Sequence, residues 1–163
     1  GTIPTRVTHN DTKINNIIFD KQGEVLCAID LDTVMNSTSL NDFGDAIRSY
    51  ANTGDEDDRD LSRVGLSLEM FRAYTEGYLS QRAKQLTDSE IDHLAFSARY
   101  ITIEQVLRFL MDYIDGDTYY KVKYPGHNLV RTHAQYRLLQ SMEEHYGEMC
   151  RIVRETVDKY RKA

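Results

Sequence analysis

The chain has 163 residues, 40% apolar and 28% charged, enough to bury a sizeable core and without the composition of a disordered segment. A net charge of −6 argues against a nucleic-acid partner, and no apolar run approaches the length of a membrane span. No signal peptide precedes the first polar motif, and Cys27 and Cys150 lack C-x-x-C spacing, so they read as reduced, buried thiols of a cytoplasmic protein.

The first predicted elements are two β-type runs, Asn16 to Phe19 and Val25 to Ile29, joined by the hairpin signal Asp20-Lys21-Gln22-Gly23. Beyond them the chain turns helical. Asp42 to Ala51 reads as a first helix and Leu61 to Gln81 as a second, with Leu66, Met70, Phe71, Tyr74 and Tyr78 spaced for one buried stripe. Thr87-Asp88-Ser89-Glu90 is a capping box that opens a third helical region reaching Ile114, with a break expected near Thr102. Gly116 and Pro125-Gly126 bound a loop, after which Leu129 to Tyr160 reads as one long terminal helix. Its stripe is Leu139, Met142, Tyr146, Met149, Val153, Val157 and Tyr160, and this is core packing because a coiled coil would need regular e/g charge pairs. No repeat, low-complexity segment or linker divides residues 1–163. The expected fold is mainly α with a small β-hairpin (α+β), in a single domain.

Ahead of the hairpin, His9, Asp11 and Asn16 fit H-x-D-x-x-x-x-N, and Asp30 ends the second apolar run. Such a cluster can be an ordinary turn, since Asp, Asn and Thr side chains bond their own backbone. The hairpin changes this, because it returns Asp30 to the loop that carries Asp11 and Asn16. The combined pattern resembles the aminoglycoside phosphotransferase and choline kinase superfamily. Asn10 stands where aminoglycoside phosphotransferases usually have Gly and protein kinases Arg, and Ile29-Asp30-Leu31-Asp32 takes the place of Asp-Phe-Gly. The segments Leu40 to Arg48, Asp55 to Asp60, Arg108 to Tyr113 and Gly116 to Tyr120 extend the likeness over nearly the whole chain. These later segments suggest the N-acetylhexosamine kinases of that superfamily, which phosphorylate the anomeric hydroxyl of an amino sugar.

The resemblance implies the C-terminal lobe of a protein-kinase-like fold and a role for each residue of the motif. Asp11 is the expected base for the acceptor hydroxyl, and Lys13 a charge near the transferring phosphate. Asn16 and Asp30 are the expected ligands of Mg2+ on ATP, with Asp32 either a further ligand or a plain loop carboxylate. His9 would order the loop by hydrogen bonds, and Asp42 would start a helix and brace the loop by accepting backbone N–H groups. Asp42 precedes Phe43-Gly44, but Asp30 already holds the metal position in motif order. Arg108 and Tyr119 would reach the sugar. Equally, Arg108 could pair with Asp112 four residues on as a solvated ion pair. The run Asp55 to Asp58 reads as solvated, and His127, alone among His93, His127, His133 and His145, as a loop histidine near the acceptor pocket.

By this resemblance, residues 1–39 carry the catalytic loop and metal-binding hairpin, and 40–163 the acceptor-binding helices. A kinase also needs a glycine-rich loop and a strand lysine to hold ATP, and neither is in this sequence. The expectation is therefore a lobe of a longer kinase, partnered by an N-terminal β-lobe, with Gly1 a cloning remnant and no activity of the chain alone. Two alternatives remain at this point: a kinase-derived binding module without catalysis, and a kinase for another acceptor such as an aminoglycoside, choline or a different sugar.

Overall fold

A computed structural model describes residues 2–162; Gly1, and with it the cloning-remnant reading, lies outside them. The fold is mainly helical with two small antiparallel sheets. Strand β1 (Arg6–Thr8) leads into the polar motif, β2 (Ile17–Phe19) and β3 (Val25–Ala28) form the hairpin, and β4 (Met35–Ser37) returns beside β1. Helices α1 (Ser39–Tyr50), α2 (Leu68–Arg82), α3 (Asp88–Ile114), α4 (His127–Glu144) and α5 (Tyr146–Arg161) follow.

The β1–β4 pairing was not expected from sequence, because a three-residue strand is too short to show a period. It matters for what lies between. With Thr8 opposite Met35, both ends of the segment from His9 to Val34 are tied together, so the polar motif sits on a closed loop. The hairpin itself follows the sequence, apart from a register shift at Ile18 and Phe19. Its turn is held by Asp20, whose Oδ1 accepts the backbone N–H groups of Gln22 and Glu24 at 2.8 Å each.

Several helix boundaries differ from expectation, each for a local reason. Helix α1 starts at Ser39 because Thr38 caps it, accepting from Leu40 N. Leu61–Arg63 is only a 3-10 turn; α2 begins after Ser67, which caps it by accepting from Met70 N. Met70 is then out of phase with Phe71 and Leu79 and lies 50% exposed, contrary to its place in the predicted stripe. The Thr87 and Glu90 capping box is present, and α3 runs unbroken through Thr102, whose hydroxyl donates to Ala98 O within the helix. The expected single terminal helix is two helices meeting at His145, since α4 packs on α3 whereas α5 packs on α2 and α3.

The core joins α1, α2, α3, α4 and α5 around Phe43, which is fully buried and meets Phe71, Tyr74 and Tyr78 edge-on. Gly44 beside it is a packing requirement. A Cβ there would lie 2.5 Å from Ser97 O, so only glycine lets α1 approach α3 this closely. The hairpin, by contrast, lies outside the core. Val25 and Leu26 are each 63% exposed and Cys27 is exposed, while Cys150 is half-buried, so the expectation of two buried thiols is not met. The reason is that β3 pairs only with β2 and no helix covers it.

Candidate active site

The polar motif is organised by backbone hydrogen bonds to distant side chains. Asp42, in the first turn of α1, accepts His9 N at 3.1 Å and Asn10 N at 2.7 Å through its two oxygens. Asn10 holds a left-handed backbone (φ 63°), and its side chain is engaged with Thr8 and with Thr33 O, which stabilises that turn. Thr12 donates to Asp42 O and Thr33 to His9 O, both at 2.7 Å. His9 Nε2 meets Ile29 O at 3.0 Å, which joins the start of the motif to the end of the hairpin. His9 and Asp42 thus sit where an ordering role requires them.

Asp11 and Lys13 form an ion pair of 3.0 Å at the mouth of the loop, both partly exposed. Asn16 is buried at the end of a 3-10 turn, and its Nδ2 donates to Asp11 O at 2.9 Å, leaving Oδ1 as its free donor atom toward a cation. Its own carbonyl accepts Ile29 N at 2.9 Å, which extends the hairpin by one step and sets Asp30 directly beyond that bond. Asp30 adopts a left-handed backbone (φ 63°) that turns the chain out of β3 into the turn Leu31–Thr33. The hairpin therefore brings Asp11, Asn16 and Asp30 to one place.

These donors suit a hard cation. Asn16 and Asp30 offer an amide and a carboxylate oxygen, with Asp32 two residues on, and magnesium takes oxygen ligands and completes its shell with water and substrate phosphates. Among the described residues no group of three or more His, Cys, Asp or Glu side chains could hold a metal by itself. A cation here would thus depend on its phosphate ligand as well as on the protein.

Beside the loop opens a cleft of about 920 Å³, lined at one end by Asp11, Asp30 and Asp32 and at the other by α3, α4 and the loop between them. Arg108 and Tyr119 line the far wall. The Arg108 guanidinium stands 5.9 Å from the Tyr119 ring and 5.5 Å from the Tyr120 ring. It does not pair with Asp112, because that carboxylate is taken. Asp112 accepts the backbone N–H groups of Thr118, Tyr119 and Tyr120 at 2.8 to 2.9 Å, and Asn128 Nδ2 at 2.8 Å. Burial opposes its charge, yet the backbone donors hold its carboxyl below the usual range.

The floor of the cleft contains residues that the sequence reading left without a role. Arg48 is 6% exposed and bridges Asp45 (2.9 Å) and Glu56 (2.7 Å), with Gln135 Oε1 at 3.3 Å. Burial alone would lower its pKa; the two carboxylates more than offset this and raise it. The spacing of Asp45 and Arg48, three residues apart on a helix, was a signal for this pair.

The acidic run is correspondingly not a solvated strip. Glu56 pairs with Arg48, Asp57 with Lys123 and His127, and Asp58 is buried. His127 is likewise not a loop histidine. It begins α4 fully buried, its Nδ1 accepting Lys123 N, so its proton is on Nε2 and is donated to Asp57 at 2.7 Å.

Two further findings bear on this site. No described helix is long and apolar enough to cross a membrane. A family model described as the phosphotransferase enzyme family matches residues 2–84, which cover the polar motif, the hairpin, α1 and α2.

Proposed function

Because the chain belongs to the phosphotransferase enzyme family, that of the aminoglycoside phosphotransferases and choline kinases, we propose that it is the catalytic and acceptor-binding lobe of a small-molecule kinase. In this reading residues 1–39 supply the base and the metal ligands, and residues 40–163 shape the acceptor site. The observation that carries it is the convergence of Asp11, Asn16 and Asp30, held by the bonds from Asn16 Nδ2 to Asp11 O and from Ile29 N to Asn16 O, with Asp11 and Asp30 lining one end of an open cleft and Asn16 buried behind them.

Asp11 is the proton acceptor. As the acceptor oxygen bonds to the γ-phosphorus of ATP and the bond from that phosphorus to the bridging oxygen of ADP breaks, the hydroxyl proton passes to the Asp11 carboxylate. Lys13 pairs with one oxygen of Asp11, fixing the carboxylate and placing a positive charge beside the transferring phosphoryl group. Asn16 and Asp30, with Asp32 alongside, would hold Mg2+. When bound, that ion neutralises the charge on the nucleotide phosphates. The acceptor is an N-acetylhexosamine, phosphorylated at its anomeric hydroxyl, with Arg108 and Tyr119 reaching its oxygens and ring. The polar end of the cleft supports a hydroxyl acceptor, and the aromatic far wall supports a sugar ring.

The nucleotide is held by an N-terminal β-lobe of the same protein, working in the cytoplasm. The exposed apolar residues Val25, Leu26 and Leu31 support a covering partner for the hairpin. The test is phosphoryl transfer to N-acetylglucosamine and N-acetylgalactosamine by the protein carrying its nucleotide-binding lobe. Asp11→Asn should cut turnover by ~10²–10⁴-fold while ATP still binds. Asp30→Ala should raise the magnesium concentration required. Normal turnover in Asp11→Asn would overturn the base assignment, and transfer only to an aminoglycoside or choline would overturn the amino sugar.

A further inference from the structure

Between α1 and α2 the chain makes a closed loop whose base is fixed in the core and whose tip is held by charge. Thr53 N donates to Gly65 O at 2.9 Å and Thr53 Oγ1 to Arg63 O at 2.6 Å, so the two ends of the segment meet. At that base Val64 and Leu66 enter the core, and Leu66 N donates to Ser141 Oγ of α4 at 3.0 Å. The tip is different. Residues 59–63 are all exposed, and the segment runs along the rim of the cleft, which Gly54, Asp55 and Glu56 line. A tip that buries so little apolar surface sits at the low end of local stability, the end from which moving segments are drawn.

Two neighbouring carboxylates tie this tip to different sides of the cleft. Glu56 accepts from Arg48 Nη1 of α1 at 2.7 Å, whereas Asp57 accepts from His127 Nε2 at the start of α4 at 2.7 Å and pairs with Lys123 at 3.1 Å. The His127 donor leads in holding the Asp57 carboxyl below its ordinary range, so the latch is a charge-assisted bond. Around it, His127 Nδ1 is taken by Lys123 N, the Tyr124 ring packs on the imidazole at 4.6 Å, and Arg59 stands over Tyr124 at 4.3 Å. Because Glu56 and Asp57 are adjacent, the backbone cannot carry one away without moving the other.

Beneath the tip lies the cleft floor. Arg48 is met by Asp45 Oδ1 and Gln135 Oε1, which leaves Asp45 Oδ2 and Gln135 Nε2 buried with no hydrogen-bond partner in the protein. Buried polar atoms of this kind require water or a ligand group to meet them, and therefore a way in.

We propose that residues 53–65 form a hinged strap across the α1 and α4 side of the cleft, latched at the tip by Asp57 on His127, and that release of this latch opens the floor around Arg48. The hinge is the closed base at Thr53 and Gly65, which stays in place because Val64 and Leu66 are anchored in the core. Such a strap governs access and is indifferent to what the cleft accepts, so it stands or falls separately from the kinase reading. Asp57 is a positioning residue in it, acting through the loop.

The experiment is hydrogen exchange followed by NMR on the chain at pH 6.5, with three reporters. They are the Asp58 amide, which donates to Asp55 O in the tip, the Lys123 amide, which donates to His127 Nδ1, and Arg48 Nε–H, which donates to Asp45. Asp57→Ala should speed exchange at all three by ~10–100-fold, the equivalent of losing one charge-assisted hydrogen bond, while the Thr53 amide at the hinge keeps its wild-type rate. Asp57→Asn retains an oxygen for His127 Nε2 and should restore most of the protection. Arg48 lies on α1 and makes no contact with Asp57, so a purely local role beside α4 would speed Lys123 and leave Arg48 Nε–H as in the wild type. That outcome would overturn the strap, as would loss of protection at Thr53 together with the rest, which is melting of the whole loop rather than swinging about its base. Should Asp57→Ala not fold, Lys123→Ala removes only the exposed partner of Asp57 and should give the same pattern at ~2–5-fold, the scale of a surface ion pair. An unchanged Arg48 Nε–H rate in that variant would count equally against the proposal.

Discussion

Asp42 lies 33 residues from His9 in sequence, yet one of its oxygens accepts the His9 backbone N–H at 3.1 Å while the other accepts that of Asn10. Helix α1 therefore grips the polar loop by its backbone, and Asn10 can rest in a left-handed turn just before Asp11. Replacing Asp42 by alanine removes both acceptors at once. Asp42→Ala should cost about 2 kcal/mol, the range for leaving partly buried donors unmet. Turnover in the kinase should fall ~10–100-fold through misplacement of Asp11. Hydrogen exchange at the His9 and Asn10 amides would report it, and unchanged protection there would show that Asp42 does not order the loop.

Acid should release the first strand from the helical body. Glu90 is fully buried and binds Arg6 of β1 at 2.6 and 2.7 Å, as well as Ser39 and Thr87, and the hydrogen bonds from Arg6 lead in holding its carboxyl at about 2, against an ordinary 4.5. Since folding lowers this pKa, the stabilisation is complete above ~4.5 and is lost as the pH falls toward ~2. A shift of this size corresponds to at most ~3 kcal/mol. Melting temperatures of the wild type and Glu90→Gln should differ most near neutral pH and converge below ~3. A difference that stayed constant with pH would rule out an ionised Glu90 as its cause.

A methyl group at Gly44 should separate α1 from α3. The added carbon would meet Ser97 O at 2.5 Å and Ile101 Cγ1 at 2.8 Å, and the first of these is backbone that cannot rotate away. Gly44→Ala should therefore destabilise by ~1–3 kcal/mol, the usual cost of overpacking. Gly77→Ala is the control, since a Cβ there meets nothing within 4 Å and alanine favours the helix. Chemical denaturation of the two variants should move in opposite directions.

The two thiols should differ in reactivity. Cys27 is exposed on β3, whereas Cys150 is half-buried beside Tyr146 on α5. Iodoacetamide followed by peptide mass analysis should label Cys27 several-fold faster in the native protein, because reaction requires access. A partner seated on the hairpin would reverse that order.

Much of this protein can be read directly along the chain. The H-x-D-x-x-x-x-N spacing, the hairpin turn around Asp20, the Thr87 and Glu90 capping box and the apolar stripe of the last helices are all local patterns, set by residues a few positions apart, and short-range sterics and hydrogen bonding express them almost anywhere. They account for the helical class with its β-hairpin, for the phosphotransferase pattern, and for Asn16 and Asp30 arriving at the paired open ends of the hairpin, just before β2 and just after β3. Other features needed the assembled chain. The β1–β4 pairing, the division of the terminal helix at His145, the exposure of Cys27, the burial of His127 against Asp57 and the loss of Asp112 as a partner for Arg108 depend on residues that meet only after folding. The Asp112 case gives the physical reason. At four residues' spacing a carboxylate and a guanidinium on one helix face pair weakly in water, while three backbone N–H groups closing over a buried carboxylate bind it better, and only the path of the loop could bring those donors there.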